Sequence, residues 1–245
     1  MSNDLNRRVT AAVKHFWKTR ANQQKNQGSK SGQRDSGARG AVTGGKQLDG
    51  FIELFSELLD EAGLPGHAIY RQKKDVALPG YFRPTKEWDL IVVADGCLVA
   101  SIECKSQVGS FGNNFNNRVE EALGTAVDHW TAYKKGAFKP SAQPWIGWFM
   151  LLEDAAGSDA PVRVKEPHFP VFSEFKDVSY AQRYELFCLR LVRERLYNAA
   201  CLILTPQKGG TRGIYREPSE EVSFLNFATS LSAHAASFVR LRNPR

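Results

Sequence analysis

A tight turn between two apolar runs constrains this chain more than any other feature. The runs LIVV and LVASI flank Asp95-Gly96, and an Asp-Gly pair in that position is typical of a two-residue β-hairpin. Asp89 precedes the first run, and Glu103 and Lys105 follow the second. Because the two ends of a hairpin are neighbours and residues two apart share one face of a strand, these three charged side chains are predicted to converge.

Two carboxylates beside an ammonium group suit chemistry on phosphate esters. Carboxylate oxygens are the ligands that a hard divalent cation such as Mg²⁺ prefers, with positions left open for phosphate oxygens and water. A neighbouring lysine can hold the attacking water or stabilise charge on the phosphate. We therefore predict that Asp89, Glu103 and Lys105 are catalytic and that Asp89 and Glu103 bind Mg²⁺. A solvated charged surface on an ordinary hairpin is the alternative explanation.

The helix predicted at residues 48–62 supplies candidates for a third metal ligand. Asp49 and Glu53 lie one turn apart on its polar side,, and we take Asp49 as the third ligand. An acid in a first helical turn is equally explained by the helix dipole. Glu120, on a later helix, is a candidate for holding a water or the lysine, with a solvated helix acid as the alternative.

Downstream of the hairpin, four asparagines within five positions and an arginine surround two aromatic residues. In the major groove of DNA, an asparagine side chain can form two hydrogen bonds with adenine, and an arginine side chain can form two with guanine. Asparagine also favours loops and helix caps, which is the alternative explanation. We predict a loop that leads into a helix beginning near residue 117, with two or three of these side chains reading bases and the others acting as caps. The five residues are Asn113, Asn114, Asn116, Asn117 and Arg118.

The pattern of Asp89, Glu103 and Lys105 resembles that of the PD-(D/E)xK nucleases, although the usual proline before the aspartate is absent and Pro84 lies five residues upstream. Four stretches between residues 44 and 185 resemble the XhoI-type restriction endonucleases: GGKQLDGF, LPGYFRPTKEWD, GSFGNNFNNRVEEALGTA and PHFPVFSEFKDVSYAQRYE. The resemblance implies a type II enzyme that uses Mg²⁺ to cut both strands of CTCGAG after the first C and leaves 5′-phosphates on overhanging ends.

A palindromic site implies double-stranded DNA as the substrate and a two-fold homodimer with one active site per strand. A cognate methyltransferase would share the site without needing to bind the enzyme. Two other interpretations of the function stay open. One is a structure-specific nuclease of the junction resolvase or repair type, and the other is a DNA-binding module that uses the same fold without cutting. The intact acid and lysine pattern argues against the module, and the clustered amides argue against an enzyme that ignores sequence.

The basic charge of the chain is concentrated near its N-terminus. Of the net charge of +7, residues 1–46 contribute +8, from ten Lys and Arg against two Asp, and the rest contributes −1. A basic segment binds the phosphate backbone without reading sequence, and a solvated tail is the alternative. We predict a basic helix with a flexible DNA-contacting arm at residues 1–46 and a nuclease domain at residues 47–245.

Composition favours a soluble intracellular protein, and the resemblance implies a bacterial cytoplasm. Hydrophobic residues make up 42% of the 245 residues, which is enough for a full core,. The sequence has neither an apolar run of membrane length nor a signal-peptide core, and its histidines lack the spacing of a zinc site. The four cysteines lack CxxC spacing and are predicted to be buried small hydrophobic residues in a reducing compartment. They are Cys97, Cys104, Cys188 and Cys201.

Hydrophobic periodicity predicts an α/β fold with a mixed central β-sheet and helices on both sides, and the resemblance implies a restriction-endonuclease-like core. Polar composition predicts a flexible loop at residues 21–46 that could order on DNA, and further loops at 155–178 and 206–219. Helices are predicted at 4–20, 48–62, 118–133, 180–197 and 221–240, and strands, besides the hairpin, at 145–152 and 201–205.

Overall fold

A mixed β-sheet forms the centre of the protein. The computed structural model describes residues 2–28 and 46–242. Within these residues the sheet has five strands in the order β1-β4-β5-β6-β7; the first three pair antiparallel and the last three pair parallel. They are β1 (Ile69–Tyr70), β4 (Leu90–Ala94), β5 (Cys97–Gln107), β6 (Trp145–Glu153) and β7 (Ala199–Thr205). A separate small hairpin joins β2 (Ala77–Pro79) to β3 (Thr85–Glu87).

Helices cover both faces of this sheet, which confirms the predicted α/β class. Apolar side chains of one face of the parallel strands pack with α1, α2 and α7, and those of the other face pack with α3 and α5. The alternation follows from the two-residue period of a strand, since successive side chains point to opposite faces. The helices are α1 (Ser2–Gly28), α2 (Asp49–Glu61), α3 (Phe111–Lys134), α4 (Ala156–Asp159), α5 (Tyr180–Arg193), α6 (Gln207–Gly210) and α7 (Phe224–Arg242).

The first helix is longer than predicted, and its apolar face belongs to the core. Its buried residues include Val13, Phe16 and Trp17, and the indole of Trp17 donates to Thr205 Oγ1 on β7 at 3.0 Å. The prediction of a loop from residue 21 is wrong up to Gly28, because the helix continues to that residue. The remainder of the predicted arm, residues 29–45, lies outside the described residues, and the boundary at residue 46 stays a prediction.

The third helix begins about six residues earlier than predicted. Asparagine has a weak intrinsic preference for helices, but Phe111 and Phe115 lie four residues apart and both contact Tyr180, with Phe115 also packing edge-on against Tyr184. This packing outweighs propensity and extends α3 back to Phe111. The α4 and α6 helices are single turns inside segments that the sequence predicts to be loops.

The four cysteines are buried and unpaired, as predicted. Among the described residues no helix combines the length and the apolar character needed to cross a membrane.

Candidate active site

The predicted hairpin is confirmed as β4 and β5. Leu90 pairs with Ile102 at its open end and Ala94 with Cys97 beside the turn. Asp95 and Gly96 both have positive φ, at 50° and 70°, as a type I′ turn requires. Because Leu90 faces Ile102, the residues just beyond them, Asp89 and Glu103, are brought together at the open end.

Asp89 is held against the neighbouring strand by its backbone and its side chain. Its amide donates to Ile102 O at 3.2 Å, and its Oδ2 accepts from the amide of Cys104 at 2.7 Å. Burial, followed by the negative charge of Glu103, raises the pKa of Asp89 to about 6, against the opposing effects of the Cys104 amide and nearby lysines. Two carboxylates that repel each other in a poorly solvated place form a site suited to a cation.

Glu103 lies at the centre of the cluster, with a side chain only 5% exposed. Its Oε1 lies 2.5 Å from Lys105 Nζ, and its Oε2 lies 2.6 Å from Lys86 Nζ. Burial alone would raise the pKa of Glu103, but the two ammonium groups outweigh burial and lower it. Burial would likewise lower the pKa of Lys105, and the charge of Glu103 raises it instead. An ionised Glu103 and a protonated Lys105 therefore coexist at neutral pH.

Lys86 is a member of this cluster that the sequence did not reveal. It comes from β3 and also donates to Glu87 O at 2.6 Å, while its ammonium group lies 4.9 Å from the ring centroid of Trp88. The small β2–β3 hairpin consists of two three-residue strands, too short for an alternating pattern. The one available signal was the position of Lys86 just upstream of Asp89.

The cluster opens into a cleft of about 550 Å³, named here the active-site cleft. Glu103 and Lys105 are on the sheet face that packs against α3, as the two-residue strand period predicts. The wall on the α3 side includes Glu120 and Glu121, and the rim on the other side includes Arg83. Glu120 is thus adjacent to the cluster, although its predicted contact with a water or the lysine stays a prediction.

Asp49 does not join Asp89 and Glu103. It lines a second cleft of about 420 Å³ between α1 and α2, together with His15 and Glu53, named here the α1–α2 cleft. The reason is topological: α2 packs on the opposite face of the sheet from Glu103 and Lys105. The geometry gives Asp49 no part in a third-ligand role. In residues 2–28 and 46–242, no group of three or more His, Cys, Asp or Glu side chains is arranged to hold a metal ion.

The asparagine-rich segment forms the first two turns of α3 rather than a loop, so the predicted loop is wrong. Asn113, Asn116 and Asn117 are exposed and share one helical face, named here the asparagine stripe, which continues to Glu120 in the active-site cleft,. Asn114 is half-buried, and its amide donates to Ser110 O at 3.1 Å.

Arg118 also differs from its predicted role as a side chain that faces DNA. It is half-buried and forms an ion pair with Glu121 one turn later on the same helix. The predicted caps are also absent: the helix begins at Phe111, and its N-cap residue, Ser110, makes no side-chain capping bond. Three of the five predicted DNA-contacting residues are therefore exposed on one face.

Known proteins match this chain over most of its length. The family model described as restriction endonuclease XhoI matches residues 26–217. The type II restriction enzyme BstVI of Geobacillus stearothermophilus is 51% identical over 210 residues, which cover 83% of this chain and 93% of that enzyme. The type II restriction enzyme XhoI of Xanthomonas vasicola is 39% identical over 220 residues, 88% of each chain. AbrI of Azospirillum brasilense, also a type II restriction enzyme, is 47% identical over 167 residues, 68% of this chain and 74% of that one.

No solved structure matches the chain. The family match and the three relatives argue against the two alternative interpretations, a junction resolvase and a DNA-binding module that does not cut. The chain belongs to the XhoI restriction endonuclease family, whose members are site-specific endodeoxyribonucleases acting on double-stranded DNA.

Proposed function

We propose that this protein hydrolyses double-stranded DNA at the palindrome CTCGAG in a Mg²⁺-dependent reaction that leaves 5′-phosphate ends. The observation that carries the chemistry is the buried Glu103 against the ammonium group of Lys105 in the lining of an open cleft, with the half-buried Asp89 on the adjacent segment of the hairpin. The sequence preference is an expectation from the family resemblance. The homodimer follows from a palindromic substrate, and a methyltransferase would protect the same site without binding the enzyme.

The residues of the cluster fit a Mg²⁺ ion. Asp89 and Glu103 supply the oxygen ligands that this ion prefers, and their mutual repulsion, which raises the pKa of Asp89 to about 6, is relieved by a cation,. A bound Mg²⁺ would neutralise charge on the scissile phosphate and lower the pKa of a coordinated water. Asp89 and Glu103 are the residues that would hold it.

The side chains of the protein position the reactants. Lys105 is fixed by Glu103 at 2.5 Å and reaches the open side of the cleft with 24% of its side chain exposed, so its ammonium group can orient a water and stabilise charge that develops on the phosphate. Lys86 contacts the other oxygen of Glu103. The two lysines hold the Glu103 carboxylate in one orientation and add positive charge where a phosphate would lie.

The asparagine stripe supports recognition of specific bases. Its three exposed amides lie on the same helix as Glu120 in the active-site cleft. A rigid helix that carries both a cleft residue and amide groups can couple base contacts to the position of the scissile phosphate. We propose that Asn113, Asn116 and Asn117 contact base edges in the major groove.

A digest of phage DNA with and without Mg²⁺ tests this function. The wild-type fragments should match a CTCGAG map and should disappear when EDTA replaces Mg²⁺. The Lys105→Ala variant should still bind the site and fail to cut it. The Lys165→Ala variant, at an exposed residue outside the cleft lining, should cut normally. Wild-type fragments that match a different map would contradict the proposed site, and cutting by Lys105→Ala at a normal rate would contradict the assigned role of the lysine.

A further inference from the structure

We propose that residues 80–83, named here the Asp128-held loop, form a preformed aromatic wedge that contacts the minor-groove side of the bound DNA. This inference rests on the proposed cleavage of duplex DNA, because the position of the scissile phosphate defines where the loop meets the duplex. It assigns a second DNA-contacting element, on the opposite side of the active-site cleft from the asparagine stripe.

A single buried carboxylate holds this loop in one conformation. Asp128 of α3 has a side chain only 6% exposed. Its Oδ1 accepts from the backbone amides of Tyr81 at 2.7 Å and Phe82 at 2.8 Å, and its Oδ2 accepts from Arg83 Nε at 2.7 Å. A Cβ atom at Gly80 would lie 2.6 Å from the same Oδ2, so the close approach requires glycine. Three successive residues are thus bound to one helix position.

The bonds to Asp128 use the backbone of the two aromatic residues and leave their rings in solvent. Tyr81 is 50% exposed and Phe82 is 69% exposed, and their rings meet edge-on with centroids 5.0 Å apart. Leu123 and Val127 on α3 are also exposed large apolar residues, at 39% and 47%. Two adjacent exposed aromatics on a fixed loop are typical of a binding surface, because burying them gains apolar area without a cost for ordering the loop.

The location of the loop indicates DNA as its partner. Phe82 and Arg83 line the same cleft as Glu103 and Lys105, so DNA with a phosphate at Lys105 lies within reach of both. The partner is therefore the substrate, and the guanidinium group of Arg83 supplies a positive charge at the rim where the phosphate backbone would pass.

The arrangement along α3 indicates the minor groove. Asn117 lies before the cleft-lining turns of α3 and Asp128 lies at their far end, and eleven residues of helix separate the two by about 16 Å. A phosphate backbone divides the major groove from the minor groove, so elements on its two sides face different grooves. If the asparagine stripe faces the major groove, the Asp128-held loop faces the minor groove, where apolar side chains act as wedges between base steps.

The test compares two pairs of exposed aromatic residues. The double variant Tyr81→Ala/Phe82→Ala removes the wedge, and Phe169→Ala/Phe172→Ala removes two rings that are 84% and 73% exposed outside the cleft lining. Both are made in the Lys105→Ala background, and affinity is measured on a duplex with the cleavage site mapped by digestion. The wedge variant should lose about 10- to 100-fold in affinity, whereas the control should change less than about twofold.

A modified duplex assigns the groove. N2-methylguanine places a methyl group in the minor groove and leaves the major-groove edge unchanged. At guanines next to the scissile phosphate it should weaken binding of the Lys105→Ala parent by about tenfold and leave the wedge variant nearly insensitive. Equal sensitivity of the two proteins would overturn the groove assignment.

Two outcomes would overturn the wedge itself. Affinity equal to that of the control variant would show that the rings do not touch DNA. Conversion of a dimer to a monomer by the wedge substitutions alone, seen by analytical ultracentrifugation, would show that the rings contact a second copy of the chain. If the Lys105→Ala parent fails to bind any duplex, the proposed function fails instead, and this result is distinct from both.

Discussion

The active-site cleft and the α1–α2 cleft contain similar residue types in different settings. In the first, Glu103 of β5 lines the cleft and Asp89 lies behind it just before β4, and the Cys104 amide and two lysines fix their oxygens. In the second, Asp49 and Glu53 are exposed residues one turn apart on a single helix, and Glu53 forms an exposed ion pair with Arg71. Acids that share a helix face separate into solvent, whereas a sheet brings carboxylates together where solvent is scarce. Of the two arrangements, only the one on the sheet holds two carboxylates in a mutual repulsion that a bound cation would relieve.

Of the substitutions that distinguish the two clefts in function, replacement of Glu103 should reduce the cleavage rate most. The Glu103→Gln variant retains the shape of the side chain but loses the charge that holds Lys105 and would hold Mg²⁺. Single-turnover cleavage should fall by at least about 1000-fold. The matched Glu53→Gln variant in the α1–α2 cleft should stay within about twofold of the wild type. Cleavage by Glu103→Gln above a tenth of the wild-type rate would place the chemistry elsewhere.

The second comparison concerns the stability of the protein without metal. Folding raises the pKa of Asp89 from its ordinary 3.8 to about 6, so the unfolded chain loses the proton first. Stability therefore falls as the pH rises from about 4 to about 6, and above that range the ionised Asp89 costs about 3 kcal/mol. An amide at this position has no proton to lose, so the Asp89→Asn variant should be more stable than the wild type at pH 8 by up to that amount and inactive.

Urea unfolding in EDTA at pH 8 and at pH 4 measures this difference. The stabilisation by Asp89→Asn should be present at pH 8 and should largely vanish at pH 4, where the carboxyl group of Asp89 is protonated in the wild type as well. The Asp49→Asn variant should show a smaller effect, because Asp49 is exposed and lies beside Lys46 and His15. A destabilised Asp89→Asn protein at pH 8 would mean that attraction to the lysines outweighs burial and repulsion.

The sequence predicted the contacts that depend on neighbouring residues and missed those that depend on distant ones. The turn at Asp95-Gly96 predicted that the ends of the hairpin meet, and the two-residue strand period predicted that Glu103 and Lys105 share a face. A β-bulge between Val92 and Val93 shifts the register by one residue, so that Leu90 pairs with Ile102 and Asp89 lies beside Glu103,. The period also determines the face on which Glu103 and Lys105 lie. These are local rules, and they do not contain the bulge that sets the final register.

The missed features arise from packing between segments far apart in the chain. The start of α3 depends on contacts of Phe111 and Phe115 with Tyr180 on α5, which helix propensity does not contain. The contact of Lys86 with Glu103 requires the small β2–β3 hairpin, and the assignment of Asp49 failed because a helix preference does not specify which sheet face the helix covers. The anchor of Asp128 on Tyr81 spans 47 residues and has no local signature.

The asparagine stripe beside the active-site cleft and the basic segment that follows α1 should make different kinds of DNA contact. The asparagine stripe leads into the active-site cleft and should carry specificity. Alanine at Asn116 or Asn117 should cost about 1–3 kcal/mol of preference for the cognate site, measured as the ratio of cognate to non-cognate affinity. Asn114→Ala is the matched control, because its amide bonds Ser110 O, and it should leave this ratio unchanged.

A loss of stability should not affect the affinity ratio measured for the two asparagine variants. Alanine is a better helix former than asparagine, so both exposed substitutions should raise the melting temperature slightly. If neither changes the preference for the cognate site, base reading must be sought in residues 208–216 or in the N-terminal arm.

The smallest expected effect concerns the basic segment that follows α1. Deleting residues 1–40 would remove the core residues Phe16 and Trp17, so substitution is the better experiment. Alanine at three basic residues beyond α1 should reduce the slope of log affinity against log salt by about 2 to 3, since each phosphate contact contributes about 0.9. The cognate preference should stay unchanged, in contrast to the asparagine variants. The three residues are Lys30, Arg34 and Arg39.

A control with the same loss of charge separates phosphate contact from net charge. Alanine at three basic residues between α4 and α5 removes an equal charge from a segment outside the active-site cleft lining, and it should leave the salt slope nearly unchanged. Those residues are Arg163, Lys165 and Lys176. If both triple variants flatten the slope equally, the effect belongs to the overall field of the protein. The distinction between a specific reader at the active-site cleft and a non-specific arm beyond α1 would then be lost.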